Sequence, residues 1–313
     1  MAWDQINLQK KLNSTKLNLP KVQTLKRVVA GHVQFQDFII SVPTFNHQGS
    51  ITYKGMELFT QFPEGCFWRP PTDNDGVKQG WMSKVSGVRR KWIQEGLNKL
   101  DIKRDFAYTE SLTEGNYLQI KSEYQGRNAK ATHISVIWAE GNLINFYETF
   151  HIPYEWDDLP RVGMRFEIST EFSDLEWLGR GPLESYPDRC NSQLISRWKS
   201  TVDNQYHPYV VPQENGAHQD TQWFSLINNQ GDQLKFNITN ASSFSASSMH
   251  DMDLSESLTI SQLEAKPTTE VHVDAAIRGL GTGACGPDTL EEFRLRSGTY
   301  EMVWSLEVLP AKH

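Results

Sequence analysis

The segment YHPYVVPQENG, Tyr206 to Gly216, carries His207 and Glu214 in one proline-shaped loop, with His218 two residues beyond it. An imidazole and a carboxylate within reach of one substrate can divide the two roles of general acid–base catalysis. A glutamate in such a loop can equally take backbone N–H groups and serve structure alone. WLGRGPLESYPDR, Trp177 to Arg189, is dense in glycine, proline, aromatic and charged residues. A flat apolar face beside polar groups suits a sugar, the ring meeting C–H groups and the polar groups meeting hydroxyls. The competing reading is a buried arginine–carboxylate network holding long loops, Arg189 with Asp188 or Glu184, and Arg180 and Glu214 as further candidates.

Two more stretches are neither ordinary strand nor ordinary turn. FWRPPTDNDG, Phe67 to Gly76, contains two prolines and cannot be a ladder strand, because proline lacks the N–H. Asp73, Asn74 and Asp75 offer oxygen ligands, but not the alternating spacing and distant glutamate of an EF-hand. Asx turns on their own backbone are the plain alternative. GLGTGACGP, Gly279 to Pro287, fits a dinucleotide fingerprint only loosely, and no βαβ unit of about 30 residues surrounds it. It lacks the Gly-Lys-Ser/Thr of a P-loop. Cys285 as a nucleophile would need a positive neighbour or a helix N-terminus, and only Arg278 lies nearby. What remains is a glycine-rich loop with one small side chain at its tip.

These loops need a large frame. The chain has 313 residues, is 38% hydrophobic and contains ten tryptophans, so it can bury a sizeable core. From about residue 28 short apolar runs alternate with turn residues. THISVIWAEGNLINFYETFHI, 132 to 152, reads as two strands around a turn at Glu140-Gly141-Asn142. ITYKGMELF reads as a hairpin, and DQLKFNIT, ESLTISQL, TEVHVDAAI and TYEMVWSLEVL as later strands. The pattern predicts a large antiparallel sandwich. One helix is expected over 81 to 100, where Val85, Val88, Trp92, Ile93 and Leu97 recur at three- and four-residue steps. Residues 9 to 28 read as a polar arm or linker, and a weak boundary falls near residue 170.

The net charge is −7 with no basic run. Nucleic acid is excluded as a partner, since its phosphates need clustered Lys and Arg. No apolar run approaches the ~20 residues that span a bilayer, and MAWDQINLQKK lacks a signal-peptide core. A cytoplasmic location away from membranes is expected. Cys66, Cys190 and Cys285 are too widely spaced for a disulfide framework or a zinc site.

In order, FWRPPTDND, WLGRGPLESYPDR, PYVVPQENG, GLGTGACGP and the closing YEMVWSLEVLP resemble the C-terminal β-sandwich domain of large bacterial β-galactosidases. The small chains of split, heterodimeric β-galactosidases are built from the same domain. The resemblance covers residues 28 to 313, and MAWDQINL resembles the last strand of the immunoglobulin-like domain that precedes the sandwich. Residues 1 to 27 are thus expected to be a remnant of that domain plus a linker. The resemblance implies an all-β supersandwich related to aldose mutarotases. It implies that the catalytic glutamates, and the Mg²⁺ and Na⁺ ions, belong to a partner (β/α)8 barrel, on a large chain or in preceding domains. This chain contains no Asn-Glu dipeptide of the barrel's acid/base type and is expected to be inert alone. Its implied role is one wall of a galactoside site, with lactose as an example substrate. Gly283 and Cys285 sit on the loop that reaches the barrel mouth, Cys285 standing where some members carry a stacking tryptophan. Gly76 is the implied hinge of a segment that closes on sugar, while Arg69, Asp73 and Asn74 hold structure. A free-standing mutarotase-like epimerase using Glu214 with His207 or His218, and a lone carbohydrate-binding module, are the alternatives.

Overall fold

The computed structural model describes residues 26–27, 32–43, 48–78, 87–109, 117–281, 283 and 287–311. Most of the polar arm, the remnant of the preceding domain and Cys285 lie outside them. At the arm's end, Lys26–Arg27 (β1) pair antiparallel with Asp101–Thr109 (β7).

Among the described residues the strands form three antiparallel sheets. Four short strands, β2 (His32–Phe35), β3 (Phe38–Ser41), β4 (Ser50–Tyr53) and β5 (Met56–Glu57), make the smallest. The hairpin ITYKGMELF is β4 and β5, turned by Lys54 and Gly55 with φ of 49° and 86°. The ten-stranded sheet runs in the order β1, β7, β8 (Tyr117–Gln125), β9 (Lys130–Glu140), β10 (Leu143–Ile152), β19 (Gly298–Leu309), β16 (Gln233–Ile238), β15 (Trp223–Ile227), β12 (Asp174–Gly181), β13 (Leu194–Thr201). The third sheet runs β14 (His218–Gln219), β17 (Ser243–Ser247), β18 (Thr268–Ile277), β11 (Arg161–Ser169), β6 (Gln61–Cys66).

Alternation puts one face of each sheet inward. Along β10, Ile144, Phe146, Glu148, Phe150 and Ile152 are buried while their neighbours are partly exposed. The two large sheets meet through aromatic rings. Phe166 of β11 stacks on Trp304 of β19 and on Phe236 of β16, with centroids 5.4 Å apart in each case. Phe244 of β17 stacks on Phe224 of β15 at 4.2 Å. A buried aromatic ring typically removes about 150–250 Å² of surface from water, so such rings dominate the local energetics. One core cluster extends from Val33 to Val308 and draws on residues from both sides of position 170.

Two sequence expectations are corrected. The helix is α1, Arg89–Glu95, seven residues long. Residues 81–86 lie outside the description, Gly87 has φ of 82°, and Gly96 ends the helix in the left-handed conformation with its N–H on Ile93 and Trp92 carbonyls. ESLTISQL is not a strand. Glu256 ends a short helix, α2 (Asp251–Glu256), and Ile260–Gln262 form a 3₁₀ turn with a capping box from Thr259 and Gln262. Among the described residues no helix is long and apolar enough to cross a membrane.

Candidate functional site

The prolines of FWRPPTDNDG lead the chain into a turn that ends on Asp75, a fully buried carboxylate. Arg69 donates to it from Nη1 and Nη2 at 2.8 and 3.1 Å, and Thr72 adds its N–H and hydroxyl at 2.8 and 3.0 Å. Arg278, at the end of β18, donates a fifth bond at 3.2 Å. Arg278 also reaches Asp158 at 2.7 and 3.2 Å and Asp288 at 2.9 Å. Both guanidinium groups lie over the ring of Trp92 from α1, at 5.4 and 5.8 Å. Two buried cations thus share three carboxylates and one indole face, the compensation that buried charge demands. Arg278 is the residue immediately before the glycine loop, so this network fixes where the loop starts.

The loop is then gripped from two sides. Asn74 Nδ2 donates to the carbonyls of Leu280 and Gly283 at 2.9 and 2.6 Å. The Asp188 carboxylate accepts the N–H groups of Leu280 and Gly281 at 3.0 and 2.6 Å and the Thr289 hydroxyl at 2.8 Å. The glycines are required by this closeness. A Cβ on Gly279 would lie 2.6 Å from Asp188 Oδ2, and one on Gly281, at φ of 82°, 2.7 Å from Asn74 Nδ2. Gly283 is exposed at the loop's outer end. Gly76 has φ of 138°, a conformation open to glycine, and Gly87 packs against its Cα.

The remaining candidates hold the neighbouring loops. Arg180 Nε donates to Asp220 at 2.5 Å, and its Nη1 to the carbonyls of Cys190 and Gln193 at 3.0 and 2.9 Å, tying the loop after Arg189 to β12. Arg189 pairs with Glu184 at 2.7 Å, while Asp188 serves the glycine loop instead. Glu184 also accepts the Gly216 N–H at 2.9 Å and the Tyr209 hydroxyl. Asp73 is half-buried beside Asn74.

Among the described residues Glu214 caps no backbone N–H group. Its carboxylate accepts Arg161 Nη2 at 3.0 Å and the Tyr186 hydroxyl at 3.3 Å. Arg161 is fully buried and also meets Asp251 at 2.9 Å and Asp274 at 3.1 Å. Three carboxylates around one guanidinium leave surplus negative charge in a dry site. Burial, with the charges of Asp251 and Asp274 against the pull of Arg161 and Arg69, pushes Glu214 up to about 8. Burial lifts Asp274 to about 6. His218 bonds the Arg180 carbonyl at 3.0 Å and Gln205 at 2.7 Å, and burial lowers it to about 4. His207 packs its ring edge to face on Tyr209, with centroids 4.4 Å apart. Glu214, His207 and His218 are therefore committed to separate partners and do not assemble as an acid–base set.

Asp251, Glu270 and His272 bring buried ligand atoms within 4.8 Å of one another. Arg161 Nη1 lies 2.9 Å from both Asp251 and His272 Nδ1, and His272 Nε2 lies 3.3 and 3.4 Å from the Asp251 and Glu270 carboxylates, so these groups already satisfy one another. That favours a hydrogen-bonded network over a metal centre. Asp75, Arg161 and Arg278 were missed as organising residues. Asp75 had a local signal in the stiff Pro-Pro-Thr-Asp-Asn-Asp turn; Arg161 had none.

Sheets and loops together define a large antiparallel sandwich that presents a rigidly based glycine loop. The family model described as "Beta galactosidase small chain" matches residues 44–306, and the chain belongs to that family. It is 27% identical to a β-galactosidase of Arthrobacter sp. (strain B7), over 91% of this chain and 30% of that protein. It is 27% identical to a β-galactosidase of Kluyveromyces lactis, over 98% of this chain and again 30% of the relative. The chain thus spans about 30% of the length of these relatives. Among solved structures, a galactose mutarotase-like protein from Lactobacillus casei aligns over 90% of this chain and 100% of its own, at 11% identity and a TM-score of 0.36.

Proposed function

We propose that this chain is the non-catalytic part of a β-galactosidase that hydrolyses terminal β-D-galactosides such as lactose. In this reading its glycine loop completes the galactose site of a (β/α)8 barrel carried by a large chain or by preceding domains. The observation that carries the reading is the small-chain family match over 44–306 in a chain spanning about 30% of β-galactosidase relatives. The chemistry supports it. Retaining hydrolysis needs two carboxyl groups about 5 Å apart, one nucleophile and one acid/base. The carboxylates beside these loops are spent on other work: Asp75 on Arg69 and Arg278, Glu184 on Arg189, Glu214 on Arg161, Asp188 on loop N–H groups. The catalytic glutamates and the Mg²⁺ and Na⁺ ions are assigned to the barrel, and Gly283, Cys285 and Gly76 to the sugar-facing edge of this chain.

The test is reconstitution. Purified chain alone is expected to leave a chromogenic β-galactoside intact and to confer hydrolysis when mixed with a barrel-bearing chain of the same family. Hydrolysis at a normal rate by the isolated chain overturns the reading. In the reconstituted enzyme, Cys285→Trp is expected to change KM or acceptor preference more than the melting temperature. Unchanged kinetics would place Cys285 outside the site.

A further inference from the structure

A cleft between the loops 182–193 and 204–209 adjoins the glycine loop and has no role in the reading above. Its volume is about 530 Å³, within the roughly 300–1,000 Å³ of small-molecule sites. Part of its lining is aromatic. Tyr209 and His207 stand edge to face, and Tyr206 adds a third ring.

This lining is held in place before any ligand arrives. The Tyr209 hydroxyl bonds Glu184 and accepts Arg189 Nη2 at 3.4 Å, Glu184 is anchored by the Gly216 N–H, and the His207 N–H is held by Asn215 Oδ1 at 3.1 Å. Fixed rings lose little entropy on binding, which favours affinity. Arg189 spends Nη2 on Glu184 and Tyr209. Among the described residues no acceptor takes its Nε or Nη1 donors, and its side chain is 38% exposed. The exposed amides of Asn191 and Asn204 add further donors and acceptors.

Charge narrows the ligand class. Arg189 and Glu184 neutralise each other, and the Asp188 carboxylate is spent on the N–H groups of Leu280 and Gly281. Neither a cation nor an anion finds an uncompensated partner here. A planar guanidinium with free donors, amides and aromatic faces match a ring with C–H faces and hydroxyl edges.

We propose that this cleft binds a neutral mono- or disaccharide, with the His207–Tyr209 pair against its C–H face and Arg189 on its hydroxyls. Asp188 lines the cleft and holds the base of the glycine loop, so a sugar here sits one carboxylate away from that loop.

Saturation-transfer difference NMR of lactose with the full chain reads weak contact directly. Transfer to the lactose ring protons is expected. Its affinity should fall about tenfold in Arg189→Met, the loss of a charge-assisted hydrogen bond, and transfer should vanish in His207→Ala. Circular dichroism checks that each variant is folded. If Arg189→Met unfolds, His207→Ala decides alone, because its exposed ring can be removed while the backbone bond to Asn215 stays. No transfer to lactose, galactose or glucose overturns the proposal, as does transfer unchanged by His207→Ala. The measurement needs no barrel partner. Contact seen in a chain that never restores hydrolysis would leave this site standing and remove the galactosidase reading.

Discussion

At the scale of residues, the centre around Arg161 makes a pH prediction. A carboxyl whose folded pKa exceeds its unfolded value keeps a proton that the unfolded chain has lost, so stability falls as pH rises through that window. The window is 3.8 to about 6 for Asp274 and 4.5 to about 8 for Glu214. His218, kept neutral by burial, works in the opposite sense, adding stability as pH rises from about 4 to 6.5. Buried His272 is also lowered and has the same sign. The opposing groups offset one another up to 6.5, and above it Glu214 alone of these four still titrates. Stability is therefore expected to decline by about 1–2 kcal/mol between pH 6.5 and 8. Glu214→Gln copies the shape of the protonated acid and should flatten that decline in urea midpoints. A variant with the same slope as wild type would remove Glu214 as its source. None of this was legible in sequence, because Arg161 meets Glu214, Asp251 and His272 across 53, 90 and 111 positions.

At the scale of elements, the glycine loop is positioned by contacts too close for a side chain. Gly281→Ala is expected to add about 1–3 kcal/mol of local strain and to push Asn74 off the loop carbonyls. Gly231→Ala is the control. It has a similar φ of 90° but meets only Ala311, at 3.6 Å. Reconstituted β-galactosidase activity should fall several-fold for Gly281→Ala and stay near wild type for Gly231→Ala, with similar melting temperatures. Equal activity in both would show that the loop's position does not matter. Strands with one face buried were readable: the 132 to 152 hairpin followed from its period of two and from Gly141, at φ of 63°. The helix is shorter than its apolar spacing predicts because Trp92 and Leu97 are buried on both sides of Gly96, so the spacing runs past the residue that ends the helix. ESLTISQL alternates like a strand, yet Thr259 to Gln262 also spells a capping box, and that local bonding prevailed. The loop motifs were legible as motifs, but the grip of Asn74 and Asp188 joins positions 206 and 92 apart, where no spacing rule reaches.

At the scale of the whole molecule, both large sheets are woven from the two halves of the sequence. In the ten-stranded sheet β1 and β7 to β10 come from the first half, and the seam is β10 against β19, Leu143 facing Glu307 through Ile152 facing Gly298. In the other sheet β11 joins β18, Arg161 facing Ile277 through Ser169 facing Thr268. A cut near residue 170 would strip both seams at once. The first half would carry Phe146 and Phe166 without Trp304, and β10 would become a long unpaired edge prone to aggregation. The second half would keep Arg278 without Asp75 and Asp158, leaving a cation without its buried partners. Neither half, expressed as 28–170 or 171–313, is therefore expected to show a cooperative thermal transition by circular dichroism, whereas co-refolded halves should recover one. A cooperative melt in either half alone would mean that its sheet edge and aromatic face are satisfied within that half. The seams would then be contacts between separate domains, and the glycine loop would draw its rigidity from β18 and Asp188 without help from the Arg69–Asp75 turn.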